Sequence, residues 1–288
     1  MNIMKFRPIF YAISIALIGL SLFSIIKWGF KTSIDFSGGT NWEFTLPNNP
    51  SKEKITEAFD QNKISISSIT STEKNSFSLK FQNISTEQKK SLDESMVKID
   101  KDYRELKFET LGPVLGKELL RKTITAIILS SLFLLIFIGS RFKDFTFGAG
   151  AILAMFHDSI ILIGSFSLLG HFFGAELDAL FVTALLTTLA SSVHDTVVTF
   201  DRMRELKRKN YKIDWVNLAN TAVTETLTRS INNSMTIIFM LLALVLLGGD
   251  ITRWFATALL VGVVCGTYSS TGVAIPLVLM AKKYIKKK

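Results

Sequence analysis

One acidic side chain lies at the end of a long apolar segment, where a charge is costly to keep. Asp195 follows the run ALFVTALLTTLASSV after a single histidine, and the chain turns fully polar only at Asp201. Placing a carboxylate inside a bilayer helix costs about 2.5 to 3.5 kcal/mol on insertion scales. Such a residue requires a partner for its charge or a use for it, so Asp195 indicates charge movement across a membrane.

Arg229 is the candidate partner of that carboxylate. Asp195 precedes Asp201 by six residues, which places it about 9 Å inside the end of its segment. Arg229 opens the next apolar segment, which runs back in the opposite direction, so the two residues should lie at similar depths. An arginine can extend toward the interface or swing inward to a carboxylate.

A carboxyl group between a cation and apolar surroundings can take up and release a proton when the geometry changes. We therefore predict that Asp195 and Arg229 form a proton relay. A static buried ion pair is the alternative interpretation of the same spacing.

His157 and Asp158 lie near the middle of another apolar segment, and Asp158 is the deepest carboxylate of the chain. An ionisable residue at that depth is by default a candidate functional group that faces the interior of a helical bundle. A structural polar contact to a neighbouring helix is the alternative.

His194 is adjacent to Asp195, and adjacent residues of a helix do not share a face. We expect a packed, neutral imidazole at this position, with a proton-relay role as the alternative. Most of the neighbouring hydroxyl groups should bond to backbone carbonyls. These hydroxyls belong to Ser191, Ser192, Thr196 and Thr199.

The composition excludes an ordinary soluble domain as the setting for these residues. The chain has 288 residues, of which 48% are hydrophobic and 23 are Phe, and its mean hydropathy is +0.35. Apolar residues cluster in six stretches that approach or exceed the roughly 20 residues needed to span a bilayer. They are Ile9–Trp28, Thr123–Gly139, Phe145–Leu169, Ala179–Phe200, Ile231–Leu247 and Trp254–Met280. We expect the last to tilt or to break near Gly262, Gly266 or Gly272.

The first stretch is longer than the roughly 7 to 15 residues of a signal-peptide core. It is followed by Lys27-Trp28-Gly29-Phe30 and lacks a clear small-x-small cleavage site. We therefore expect a retained transmembrane helix.

Known catalytic and ligand-binding patterns are missing from the sequence. Cys265 is the only cysteine, so neither a disulfide framework nor a metal-type Cys spacing exists. There is no nucleophile triad, no HExxH and no GxxxxGK[ST] loop. We expect no enzyme activity, no cofactor and no metal site.

The net charge of +9 first suggests nucleic acid as a partner. The basic residues, however, cluster at the ends of apolar stretches, as expected for a membrane-topology signal, so we expect no nucleic-acid binding. In a six-span chain four basic clusters fall on one side, which makes both termini cytoplasmic. They are Lys5 and Arg7; Arg141 and Lys143; Arg202, Arg204, Lys207, Arg208, Lys209 and Lys212; and Lys282, Lys283, Lys286, Lys287 and Lys288. The opposite short connections carry Glu176, Asp178, Asp250 and Arg253.

The large polar segment 31–122 falls on the far, periplasmic side. Its pattern predicts strand, helix, strand, strand, helix and strand, which is the α+β ferredoxin-like order βαββαβ. Ser85 and Gln88 predict a capping box, Pro50 predicts a helix start, and Lys74-Asn75 predicts a tight turn. The predicted elements are Thr40–Leu46, Ser51–Gln61, Ile64–Thr70, Ser76–Phe81, Thr86–Asp102 and Leu106–Leu111. A core this small should be modestly stable or be supported by a partner.

The predicted organisation therefore has three parts. Residues 1–30 form a cytoplasmic start and the first span, residues 31–122 form the periplasmic domain, and residues 123–288 form the other five spans with a basic cytoplasmic tail. The cytoplasmic loop 201–230 is either a helical hairpin, an interfacial amphipathic helix or a solvated linker.

The segment DFSGGT directly follows the first span. The pair Gly38 and Gly39 permits a tight, unusual backbone where the chain leaves the membrane. A simple turn is the alternative. The segment GVVCGTYSSTG in the last span favours close helix packing by small residues.

Five motifs, in this order and with six spans, resemble the SecF subunits of the bacterial Sec protein-export machinery. The resemblance covers essentially the whole chain, although DFSGGT with Asp35, Gly38 and Gly39 is shared with the paralogous SecD. The motifs are DFSGGT (35–40), HDS (157–159), HDTVVTFDRMRE (194–205), ETLTRSINNSMT (225–236) and GVVCGTYSSTGVAIPL (262–277).

The resemblance implies membership of the resistance-nodulation-division superfamily, in which proton flow is coupled to movement of a periplasmic domain. It implies SecD and the SecYEG channel as partners, YajC and YidC as further candidates, and a translocating polypeptide as substrate. The family's essential acid falls on Asp195 and its arginine on Arg229. The family usually has Asn where this chain has His194, so local hydrogen bonding should differ.

The sequence leaves two other functions open. A half-transporter for a small molecule or lipid would need a substrate pocket in a larger periplasmic region. A structural scaffold of the translocase would not need the proton chemistry of Asp195.

Overall fold

The computed structural model describes residues 2–72, 75–142 and 144–285. Lys74 of the predicted turn and four of the predicted cytoplasmic basic residues lie outside this part; they are Lys143, Lys286, Lys287 and Lys288. The chain divides into two compact units, Met1–Lys31 with Ala126–Lys288, and Thr32–Thr125. We call them the helical unit and the sheet unit.

The elements follow one another in a simple order. A 3₁₀ turn, Ile3–Phe6, precedes the first helix, and a π-helical turn, Ser270–Ala274, precedes the last. The elements are α1 (Arg7–Trp28), α2 (Ile34–Ser37), β1 (Gly39–Thr45), α3 (Lys52–Gln61), β2 (Ile66–Thr72), β3 (Ser76–Phe81), α4 (Thr86–Ile99), β4 (Arg104–Leu111), α5 (Pro113–Arg141), α6 (Phe145–Phe173), α7 (Ala179–Lys209), α8 (Trp215–Leu247), α9 (Asp250–Ser269) and α10 (Ile275–Ile285).

The sheet unit contains a four-stranded sheet with the order β2-β3-β1-β4. Each neighbouring pair is antiparallel, and Trp42 of β1 lies opposite Leu79 of β3 and Phe108 of β4. Alternate side chains of a strand point to opposite faces. Trp42 and Phe44 therefore share one face, where they are fully buried with Phe59 of α3.

Local chemistry decides where the two long helices of the sheet unit begin and end. The predicted capping box of α4 is confirmed, since the Gln88 backbone N–H donates to Ser85 Oγ and the Ser85 N–H donates to the Gln88 side chain. The predicted start of α3 at Pro50 is wrong, because Ser51 is the N-cap and Lys52 the first helical residue. Helix α4 stops at Ile99, three residues earlier than predicted, because Asp100 adopts an extended backbone.

The two glycines of DFSGGT adopt the unusual backbone that their sequence permits. Gly38 has φ 73° and Gly39 has φ 142°, values that disfavour residues with a Cβ. A Cβ on Gly38 would also lie 2.7 Å from the Cα of Pro113, at the start of α5. The two glycines therefore let the start of β1 approach α5 closely. The short helix α2, which ends directly before Gly38, was not predicted.

Within the described residues, six helices are long and apolar enough to cross a membrane. Several extend beyond the predicted spans, because polar residues continue the helix outside the apolar stretch. Helix α5 begins at Pro113 and not at Thr123, α7 continues to Lys209, and α8 begins at Trp215. The loop 201–230 is accordingly helical except around Asn210–Asp214, where the Asp214 side chain caps α8 by accepting from the Val216 N–H. This is the predicted helical hairpin, built from extensions of α7 and α8.

The helix of the last span is interrupted near Gly272, which is one of the three positions at which a break was predicted. Helix α9 ends at Ser269, the π-helical turn follows, and α10 continues from Ile275. A π-helical turn inserts one extra residue per turn and often marks a functional site.

Small residues bring the helices of the helical unit close together. A Cβ on Gly262 of α9 would lie 1.9 Å from the Cγ2 of Thr188 on α7. A Cβ on Gly164 of α6 would lie 2.2 Å from the Cβ of Ser21 on α1. Only glycine fits at either place without movement of a helix.

Candidate functional site

Asp195 lies on α7, half-buried against α8. Its Oδ2 accepts a hydrogen bond from Ser230 Oγ at 3.2 Å. The hydroxyl of Thr199, one turn further along α7, donates to the Asp195 carbonyl at 3.3 Å and lies 3.4 Å from the Thr226 hydroxyl of α8. Hydroxyl groups thus join α7 and α8 around the carboxylate.

Arg229 precedes Ser230 on α8, and its side chain is exposed. It is close enough to act electrostatically on the Asp195 carboxylate. Among the residues that the structure describes, however, no ion pair within 4.0 Å joins the two side chains. The relay formed by Asp195 and Arg229 stays a prediction. In the structure the direct hydrogen-bond donor to the carboxylate is Ser230, the residue that follows Arg229.

His194 is exposed, in contrast to the packed position that we expected. The reason is the helical rotation between adjacent residues, which turns His194 outward when Asp195 faces α8. The imidazole acts electrostatically on Asp195 from this position.

Asp158 of α6 is almost fully buried, with 5% of its surface exposed. Its Oδ1 lies 2.9 Å from His157 Nδ1. Its Oδ2 accepts hydrogen bonds from Ser192 Oγ of α7 at 2.5 Å and from Ser269 Oγ of α9 at 2.6 Å. One carboxylate therefore binds three helices together in the interior of the helical unit.

Two buried side-chain atoms, one on α6 and one on α7, have no hydrogen-bond partner among the described residues. They are His157 Nε2 and Thr196 Oγ1. Ser192 and Thr196 are one turn apart on the same face of α7. The expectation that most hydroxyls here bond to backbone carbonyls is wrong for both residues, while Thr199 fulfils it.

Ion pairs concentrate at the polar ends of α5, α7, α8 and α10. Asp201 of α7 pairs with Arg141 of α5 and, at 3.3 Å, with Arg204. Burial raises the pKa of Asp144, but hydrogen bonds from Lys282 and Thr146 outweigh burial and hold that pKa below its ordinary value. These pairs lie near the surface, where screening by water keeps the contribution of each to stability small.

Sequence reasoning missed Ser230 and Ser269 as partners of the two carboxylates. Ser230 is the neighbour of the predicted Arg229, and Ser269 belongs to a segment interpreted only as small residues for packing. A serine in a span gives no separate signal, because serine is itself a small packing residue. Within the described part of the chain, no group of three or more His, Cys, Asp or Glu residues could hold a metal ion.

The chain is similar to known protein export membrane proteins. The family model described as "Protein export membrane protein SecD/SecF, C-terminal" matches residues 91–284. The protein translocase subunit SecF of Thermobaculum terrenum is 37% identical over 285 residues, covering 93% of this chain and 90% of that protein. The SecF of Haemophilus influenzae is 34% identical over 277 residues, covering 95% and 84%.

A solved structure shares the fold. The crystal structure of SecDF, a translocon-associated membrane protein from Thermus thermophilus, matches with a TM-score of 0.87 at 32% identity. The match covers 98% of this chain and 39% of that chain. Six apolar helices together with these relatives make this chain a multi-pass membrane protein.

Proposed function

Because the chain belongs to the SecD/SecF family of protein export membrane proteins, we propose that it acts as a SecF-type accessory subunit of the Sec translocase. In this role it uses the proton motive force, together with a SecD partner, to drive late steps of protein export. Its relatives are named as translocase subunits, which supports the export role.

The orientation that we propose puts both termini in the cytoplasm and the sheet unit in the periplasm, with the helices in the bacterial inner membrane. Basic side chains at the ends of the helices support this orientation by the positive-inside rule. They include Arg7 at the start of α1, Arg141 at the end of α5, Lys209 at the end of α7 and Lys282 in α10.

SecD supplies the second half of the membrane assembly in this proposal. The SecDF chain of Thermus thermophilus is one polypeptide of which this chain covers 39%, so a separate SecD chain would provide most of the remainder. Apolar side chains of α5, among them Ile128, Phe133 and Phe137, are exposed. Lipid or a partner helix must cover such side chains in a membrane.

One observation carries the proton role. Asp195 is a half-buried carboxylate on an apolar helix, and a neutral hydroxyl from Ser230 holds it while the cation of Arg229 stays at a greater distance. A carboxylate without a fixed counter-ion keeps room to change its protonation state. A tightly paired one would be held in the ionised form.

The mechanism follows from the hydrogen bond and the charge. The ionised carboxylate accepts from Ser230 and attracts Arg229, which draws α8 toward α7. Protonation removes the attraction to Arg229 and makes the carboxyl group a hydrogen-bond donor, so the two helices can shift. The shift, transmitted through α1 and α5 into the sheet unit, would move that unit against an emerging polypeptide.

We assign the sheet unit to the ferredoxin-like class. The order β1-α3-β2-β3-α4-β4 and the antiparallel sheet order β2-β3-β1-β4 support this assignment. Its contact with the exported polypeptide is part of the proposal.

Asp195→Asn tests the proposed function in cells that depend on this chain. The matched control is Asp201→Asn, on the same helix but in a surface ion pair. We expect Asp195→Asn to assemble normally with SecD and to lose export of a secreted reporter, while the control exports normally. Full export by Asp195→Asn at normal levels would refute the relay.

The same experiment separates the alternatives. An intact complex with blocked export contradicts a purely structural scaffold. Failure of the wild-type chain to co-purify with SecD and SecYEG would contradict the accessory-subunit role and favour an independent exporter.

A further inference from the structure

The buried pair His157 and Asp158 is separate from the Asp195 site and has its own geometry. Asp158 lies 13 residues from the start of α6 and 15 from its end, so it is about 20 Å from either end of the helix. Only 4% of His157 and 5% of Asp158 is exposed. An ionisable pair at this position is expensive to keep unless it is hydrogen-bonded or used.

The hydrogen bonds define the protonation state of the pair. Oδ2 of Asp158 accepts from the hydroxyls of Ser192 and Ser269, and Oδ1 lies 2.9 Å from His157 Nδ1. A carboxylate that accepts from two hydroxyls is favoured in its ionised form. The imidazole then donates through Nδ1–H, and Nε2 is a bare acceptor.

Nε2 of His157 is unusual because it is a buried polar atom without a hydrogen-bond partner among the described residues. Nearly all buried polar atoms in proteins find such a partner. A buried basic nitrogen beside an anion is suited to receive a proton. Proton uptake there would cancel the one negative charge of the pair.

The groups that surround the pair supply no competing charge. Cys265 and Tyr268 of α9 interact electrostatically with Asp158, and both side chains are uncharged unless they lose a proton. The Tyr268 hydroxyl donates to the Phe10 carbonyl of α1 and lies 3.0 Å from Ser14 Oγ. Lys282 of α10 binds Asp144 instead, and Asp195 of α7 faces Ser230.

We propose that His157 and Asp158 form a second proton-binding site in the middle of the helical unit. One proton adds to His157 Nε2, and the proton on Nδ1 moves to Asp158 Oδ1 or stays shared with it. The pair changes from one negative charge to none, and no other reactant is needed.

The consequence of proton uptake is mechanical. A neutral carboxyl group holds hydroxyl donors less strongly than a carboxylate does. Ser192 on α7 and Ser269 on α9 would therefore be released together, and Ser269 directly precedes the π-helical turn Ser270–Ala274. Proton occupancy at this site would loosen α6 from α7 and α9.

Nitrogen-15 NMR of the histidine side chains tests the site in the full chain reconstituted in lipid. The chain has three histidines, so His171→Gln with His194→Gln leaves His157 as the single reporter. Spectra recorded from alkaline to acid pH should show Nδ1 protonated and Nε2 bare at first, and an Nε2–H signal that grows as the sample is acidified. One unchanged tautomer across this range would refute the proposal.

Two variants show whether Asp158 shares the proton. Ser192→Ala removes one donor to the carboxylate, so the transition should move to higher pH; Ser191→Ala, an exposed neighbour, is the control. Asp158→Asn should abolish the transition, because the imidazolium loses its counter-charge. If Ser192→Ala leaves the transition where it was, the sharing is refuted even if Asp158→Asn fails to fold.

This measurement does not involve export, so its failure is distinct from failure of the Asp195 relay. Loss of the His157 transition with normal proton-driven export would refute only the second site. A normal transition with proton-independent export would refute only the relay.

Discussion

At the scale of single residues, the protein places two carboxylates in different surroundings. Asp158 is satisfied by three donors in the interior, while Asp195 has one side-chain donor and lies half-buried. Buried carboxylates were predicted from the sequence because a charge inside an apolar run is conspicuous. Their partners were not, because Ser192, Ser230 and Ser269 resemble ordinary packing residues until the helices are assembled.

Ser230→Ala tests the role of the hydroxyl that holds Asp195. Removing the donor destabilises the ionised carboxylate, so proton uptake should occur at higher pH. We expect the pH profile of proton-driven export in membrane vesicles to move to higher pH. The exposed Ser191→Ala is the control, and an unchanged profile in Ser230→Ala would show that the hydrogen bond is incidental.

The lowered pKa of Asp100 determines how acid should affect the stability of the sheet unit. The backbone N–H of Asn48, at 2.9 Å, is the largest cause that holds the Asp100 pKa below its ordinary value of 3.8, although burial opposes it. A lowered pKa stabilises the fold above the unfolded value, and this stabilisation is lost as the pH falls through the lowered value. We expect the sheet unit to lose thermal stability below about pH 4.

Asp100→Asn should lower the unfolding temperature at neutral pH and weaken this acid dependence. The fluorescence of Trp42 reports the unfolding of the sheet unit, in a chain whose other three tryptophans are replaced by Phe. The neighbouring exposed Asp102→Asn is the control. Equal acid dependence in the two variants would contradict the assignment to Asp100.

At the scale of elements, glycines set how closely the helices pack. Gly262 faces Thr188 across the contact of α9 and α7, and Gly164 faces Ser21 across that of α6 and α1. The sequence predicted close packing in the segment that contains Gly262. It could not identify the facing residue, since that depends on the rotation of both helices.

Gly262→Ala should destabilise the helical unit. The new methyl group would overlap Thr188, and forcing an extra group into a packed contact costs about 1 to 3 kcal/mol. Gly139→Ala is the control, because nothing lies within 4 Å of its added Cβ. Thermal unfolding in detergent should occur at lower temperature for Gly262→Ala alone, and equal unfolding temperatures would contradict the packing account.

The end of a helix was predictable where a short capping motif in the sequence marks it. It was not predictable where the helix continues beyond its apolar residues. Ser85 with Gln88 identifies the start of α4 from a four-residue pattern. Helices α7 and α8 continue through Asp201 and Arg229, because helical hydrogen bonds do not require apolar side chains. Hydropathy therefore located the spans but not the full helices.

At the scale of the whole molecule, the resemblance drawn from five sequence motifs is confirmed by the family model and by the SecF relatives. The six apolar helices of the described chain agree with the six predicted stretches. Orientation, the SecD contact and the proton role remain predictions, because they depend on a membrane and a partner.

Cysteine labelling can measure the orientation. Cys265 is the only cysteine and is buried, so Cys265→Ser provides a clean background. Lys283→Cys should react with an impermeant thiol reagent only from the cytoplasm, and Glu57→Cys of α3 only from the periplasm. The reverse pattern would invert the proposed topology.

Proton flux through the assembled complex tests the central claim most directly. The chain, its SecD partner and the SecYEG channel would be reconstituted in vesicles with a translocating polypeptide. Flux under an imposed pH gradient would be followed with an internal pH-sensitive dye. We predict that the wild-type chain and Asp201→Asn conduct protons during polypeptide translocation and that Asp195→Asn does not. Equal flux in Asp195→Asn would contradict the account.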